Sequence, residues 1–115
     1  MQYIYFNGEL NAKRAGHSQL FRMRPNGTEV EQLTFDDRVN WFPHASPDGR
    51  SIVYLSYNTG TEGHPANRDV LLRCMSSSGG SPTDMVALFG GQGTINCNSW
   101  APDSQRLAYV AYPFA

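Results

Sequence analysis

Between residues 58 and 69 the chain reads NTGTEGHPANRD, and its second half holds an imidazole (His64), an amide (Asn67), a guanidinium (Arg68) and a carboxylate (Asp69). Those groups suit an anionic or sugar-like ligand. Arg68 offers a rigid fork of donors, Asn67 a donor and an acceptor, and His64 a ring nitrogen of either sense. Gln92 and Asn96, in GGQGTIN (90–96), complete the set if the two loops meet, and His44 is a further candidate. A plainer reading stands beside this one. Asn67 and Asp69 cap turns, Arg68 pairs with a nearby acid, and His64 is an exposed loop histidine.

Other chemistries find less support. His17, His44 and His64 could in principle gather on one metal, but no Asp or Glu stands in register with them, so no metal or other cofactor is expected. Cys74 and Cys97 are 23 positions apart, and neither has a second Cys or His at zinc-binding spacing. A disulfide would need their Cα atoms within about 7 Å; two separate buried thiols are expected instead. Gly90-Gly91-Gln92-Gly93 precedes a strand and lacks the lysine of a phosphate loop, so its glycines are read as a tight crossing. No serine sits in a nucleophile-elbow context, and Asp36 and Asp37 are adjacent on a loop and not opposed across a cleft. Catalysis has no advocate among these residues.

The elements that must position these residues come from a repeat. Ser46-Pro47-Asp48-Gly49 returns as Ala101-Pro102-Asp103-Ser104, and Ile52-Val53-Tyr54-Leu55 returns as Leu107-Ala108-Tyr109-Val110, both displaced by 55 positions. Tyr3-Ile4-Tyr5-Phe6 is an earlier copy of the second element. Pro sets φ near −65° at the second turn position, Asp bonds backbone N–H groups ahead of it, and Gly takes the positive φ that closes the hairpin. QLFRMRPNGTEVEQLTF (19–35) and DVLLRCMSSSGGSPTDMVALF (69–89) each read as strand, glycine turn, strand. No 11-residue window carries a helical stripe. The expectation is an all-β chain of nine strands in four-stranded antiparallel units. Residues 40–46, 51–57, 69–75 and 84–89 form the middle unit, three strands before residue 40 belong to a first, and two strands after residue 89 to a third. Such units at this spacing point to β-propeller blades, about two and a quarter of them.

LTFDDRVNWFPHASPDGRSIVYLS (33–56) resembles the repeat of TolB-like propellers, a WD40-like pattern of Leu-Thr, polar residues, Trp-Ser-Pro-Asp-Gly and a short apolar strand. SWAPDSQRLAYV (99–110) keeps Trp100, Pro102 and Asp103 of that pattern. His44-Ala45 departs from it, since the family has an aromatic before the serine. The resemblance implies blades at 1–39 (three strands), 40–89 (complete) and 90–115 (two strands), and by size alone Trp41 and Trp100 are large enough to fill the wedge between neighbouring blades. It implies a non-catalytic module binding protein or ligand at a loop-rich face or channel mouth; the alternative is the propeller of an enzyme, either metal-dependent and lyase-like or peptidase-associated. On that face it places Glu9, Asn11, Lys13, Arg14, His17, Asp36, Asp37, Arg38 and Asn40, with His44 lining the channel. A periplasmic location follows from the resemblance alone, whereas the start MQYIYFNGEL lacks the basic and apolar regions of a leader.

The bulk numbers bound the partners. With 115 residues, 40% hydrophobic and 12% aromatic, the chain can pack a core, and a net charge of −1 without basic runs argues against nucleic acid or an anionic membrane surface. No run approaches the roughly 18 apolar residues of a membrane-spanning helix. A propeller of fewer than about four blades cannot close. The chain is therefore expected to belong to a longer protein or to self-associate, for instance as a homotrimer completing a six-bladed ring.

Overall fold

The computed structural model describes residues 2–112. Seven strands form: β1 (Ile4–Gly8), β2 (Gln19–Met23), β3 (Glu31–Gln32), β4 (Val39–Ala45), β5 (Ser51–Tyr57), β6 (Arg68–Ser76) and β7 (Thr83–Gly90). There is no helix among the described residues. The strands make two antiparallel meanders that do not close, a three-stranded sheet in the order β1-β2-β3 and a four-stranded sheet in the order β4-β5-β6-β7. The middle unit thus forms within one residue of the expected bounds.

The repeated hairpin folds twice by the same bonds. At the first copy Gly49 N–H donates to Ser46 O (2.9 Å) and Ser46 N–H to Ser51 O (2.8 Å); at the second, Ser104 N–H donates to Ala101 O (3.0 Å) and Ala101 N–H to Arg106 O (2.7 Å). Asp48 Oδ1 accepts from Arg50 N–H (3.0 Å) and Asp103 Oδ1 from Gln105 N–H (2.9 Å). The Ser46 hydroxyl and the Arg50 N–H hold the Asp48 carboxyl below its usual range. Gly49 sits at φ 74°, and Ser104 takes the equivalent position at φ 61° despite its Cβ.

Alternation along β5 divides the core. Val53, Leu55 and Tyr57 join Val39, Val70, Leu72 and Ile95 in one buried cluster, while Ile52 and Tyr54 join Leu20, Leu33 and Met75 in another. Side chains of successive strand residues point to opposite faces. One cluster therefore faces the segment after β7, and the other faces the three-stranded sheet.

Several expectations are corrected. The two strands expected in the last unit reduce to a single bridge, Trp100 to Leu107. The end of that unit, residues 113–115, lies outside the described residues, as does Met1 at the start of the first. The third and last strand of the first unit shrinks to Glu31–Gln32, because Leu20 N–H donates to the Thr34 hydroxyl (2.9 Å) where a longer ladder would offer a carbonyl. Trp41 and Trp100 share one wedge, between the four-stranded sheet and the segment after β7. Both pack against the Val39–Ile95 cluster, and the wedge facing the first sheet holds Tyr5 and Ala45 instead. Both cysteines are free, but neither is fully buried: Cys97 is exposed and Cys74 half-buried, with burial raising the Cys74 thiol above its usual range.

Candidate functional site

At one end of the four-stranded sheet the 58–67 loop folds back over β4. Pro43 cannot donate a ladder hydrogen bond, and the register of β4 against β5 slips between Trp41 and His44, with Phe42 at φ 58°. Such a bulge re-aims side chains. Simple alternation would send Trp41 and Phe42 to opposite faces, yet both rings meet His64. Its imidazole lies edge-on to Trp41, with centroids 4.6 Å apart at 69°, and to Phe42 at 5.4 Å and 62°. The Tyr57 hydroxyl anchors the loop by donating to Pro65 O (2.9 Å). Burial raises the Tyr57 phenol above its usual range, so it remains a donor. A side chain at Gly91, φ 147°, would collide with the Pro65 carbonyl and the Ala66 Cα, so the glycine permits the two loops to touch.

This cluster carries two buried polar atoms, Nε1 of Trp41 and Nδ1 of His64, with no hydrogen-bond partner among the described residues. Buried polar atoms are nearly always bonded. Both nitrogens are closed to solvent while the 58–67 loop is seated; once that loop lifts, they are a donor and a ring nitrogen beside aromatic faces, the groups that bond a sugar-like hydroxyl or a peptide group.

The remaining sequence candidates scatter around this cluster. Arg68 donates to the carbonyls of Ala66 (3.4 Å) and Asn67 (3.3 Å) and lines a hollow of about 480 Å³ with Thr59, Thr61, Glu62 and Pro65. Asn67 occupies a left-handed turn position at φ 60°. Gln92, Asn96 and Asp69 are exposed. His44 Nε2 bonds Ile95 O at 2.7 Å, tying β4 to the segment after β7. Burial lowers its pKa, an effect partly offset by that bond, so the neutral ring donates from Nε2. His17 Nε2 meets Asp36 O at 2.9 Å. Among the described residues, no three His, Cys, Asp or Glu side chains are grouped to hold a metal ion.

A polar network that sequence reasoning did not assemble lies between the two sheets. Buried Asn40 accepts from Ser56 Oγ (2.8 Å) and donates to Asp36 Oδ1 (3.1 Å) and Thr34 Oγ1 (3.3 Å). Gln19 Nε2 donates to Arg38 O (2.7 Å), and Arg38 Nε to Ser56 Oγ (2.7 Å). Arg73 reaches both Asp36 (3.3 Å) and Asp84 (2.6 Å). Asp36, Arg38 and Asn40 are thereby committed to joining sheets, whereas exposed Lys13 and Asp37 pair at 3.4 Å on the loop surface, where Arg14 donates to Asp37 O. The only sequence signal was a run of short polar residues at strand ends, which reads equally well as loop.

No family model matches the chain. An uncharacterized protein of Agrobacterium fabrum is 40% identical over 111 residues, an overlap that covers 96% of this chain and 36% of the relative. A solved structure of a candidate TolB from Agrobacterium tumefaciens superposes with a TM-score of 0.89 at 40% identity, over 97% of this chain and 39% of that one. The chain thus spans little more than a third of the length of the proteins it matches, and within that span its fold is that of the TolB candidate.

Proposed function

We propose that the chain is a portion of a TolB-like β-propeller acting as a non-catalytic binding module through its loop-rich face. The likeness to the TolB candidate supports the architecture, and so does the complete four-stranded meander with a second copy of its hairpin following. The observation that carries the function is the Trp41–Phe42–His64 cluster, whose two buried nitrogens have no bonding partner within the described chain. Arg68 and the threonine-lined hollow beside it extend the same face.

Panning a displayed peptide library against the wild type tests this reading, with counter-selection on a His64→Ala/Arg68→Ala double variant. Peptides held by the wild type and released by the variant support it, and enrichment indifferent to both substitutions overturns it. Metal titration by calorimetry separates a lyase-like enzyme, which must bind an ion stoichiometrically. We further propose that the blade faces are completed by association, three copies supplying a six-bladed ring. Sedimentation giving a trimer supports that arrangement, and a soluble monomer overturns it.

A further inference from the structure

We propose that the cavity beside Ala45 is a binding site for an uncharged planar aromatic molecule of about the size of indole. Ala45 and Trp100 occupy the same place on the two copies of the hairpin. Ala45 pairs with Ile52 as Trp100 pairs with Leu107, and the turns that follow close with the same bonds. In the second copy the Trp100 ring packs against the Val39–Ile95 cluster, and its indole N–H donates to His44 O at 2.9 Å. In the first copy the side chain stops at a methyl. Beyond it opens a cavity of about 530 Å³ lined by Tyr3, Tyr5, Arg22, Gly49 and Ser77. The opening is a surface groove and not a sealed cavity, and Asp48 also stands on its rim.

The walls select flat ligands. The Tyr3 and Tyr5 rings stand 6.3 Å apart, tilted by 52°, and the Arg22 guanidinium lies 3.9 Å over the Tyr3 ring. Arg22 is fixed in place by Glu31 (2.6 Å) and by donating to Ser77 O (2.9 Å). Since Arg22 and Arg24 already lie over Tyr3, the planes left to a ligand are the Tyr5 ring and the Arg22 guanidinium, both lining the opening, and a π system stacks on these better than a saturated ring of equal volume. Because Glu31 already neutralises Arg22, an anionic group gains little from entering. The cavity adjoins the Pro47–Gly49 turn, at the opposite end of β4 from the Trp41–His64 cluster, so it is independent of the function proposed above.

The test is a ¹H–¹⁵N correlation titration of the whole chain with indole, with cyclohexanol as the saturated control. Saturable shifts confined to Tyr3, Tyr5, Arg22 and Ser77 are expected, with half-saturation at about 1 mM, the scale for a ligand of so few atoms. Ala45→Trp fills the cavity from within and should raise the indole dissociation constant at least about tenfold, a change of about 1.4 kcal/mol. If Ala45→Trp does not fold, Ala45→Phe serves the same purpose. Absence of saturable shifts in the wild type overturns the proposal, as do equal shifts with cyclohexanol or undiminished indole binding in the filled variant.

Discussion

Val53, Leu55 and Tyr57 of β5 look into a wedge closed by Trp41, Phe42, Trp100 and Leu107, whereas Ile52, Tyr54 and Ser56 look toward Asn40, Tyr5, Ala45 and the three-stranded sheet. The first wedge is aliphatic and aromatic with two bonds at its margin, Trp100 to His44 O and His44 to Ile95 O. The second has a smaller apolar patch around Tyr54, whose phenol burial pushes up to about 12 against the opposing pull of Arg73, and beside it the Asn40 network. One sheet therefore binds its two neighbours by different physics. Where area is buried, each side chain contributes in proportion to its atoms removed from water. In the polar wedge, each group's worth depends on its partners staying bonded.

The largest effect tests the apolar side. Leu72 is fully buried, and Leu72→Ala should cost about 3–4 kcal/mol in urea unfolding through lost transfer energy and the cavity left behind. Asn40→Ala should cost about 2–3 kcal/mol by stranding Ser56, Thr34 and Asp36, although it removes little apolar volume. A double-mutant cycle with Ser56→Ala sharpens the contrast: coupling of about 1 kcal/mol is expected for this pair and additivity for Leu72 with Asn40. Equal additivity in both would erase the distinction drawn here. Trp100→Ala should cost about 2 kcal/mol, less than a fully buried Trp because this ring is half-buried.

The smallest effect is pH-dependent. His44 has a lowered pKa in the fold because burial disfavours its charged form. The unfolded chain then binds more protons, so the contribution of His44 is intact above the unfolded value of about 6.5 and is lost as pH falls below it toward the folded value. Unfolding midpoints measured between pH 7.5 and 5 should fall more steeply for the wild type than for His44→Gln. Parallel curves would show that the His44–Ile95 contact carries no proton linkage.

The sequence was most legible where a local rule decides the backbone. Pro-Asp-Gly dictates its turn without help from the rest of the chain, and the alternation of Ile52 to Tyr57 places each side chain on its face. It was least legible where a neighbour decides. Residues 107–110 repeat a strand sequence, yet among the described residues they make one bridge, Trp100–Leu107, while Val110 N–H turns to Thr94 O (3.0 Å) instead of extending a ladder. Trp41 looked equivalent to Trp100, yet pairing register matches Trp100 with Ala45, four positions later in β4. The polar network needed Gln19, Asn40 and Ser56 in three dimensions, since each is unremarkable in its own segment. For the candidate site, His64 was visible as a loop histidine. Its partners were not, because Pro43 had to displace the strand before Trp41 and Phe42 could both turn toward it.

That displaced strand also limits what can be built on it. β4 borders its sheet, and a continuous row of amides there would let further chains zip on without limit. Pro43 deletes one amide, Phe42 N–H is occupied by the Asn7 side chain (3.1 Å), and Asn40 N–H by Ser18 O (2.9 Å). Two amides of this border are thereby already spent inside the molecule, which leaves an incoming strand fewer rungs to pair with.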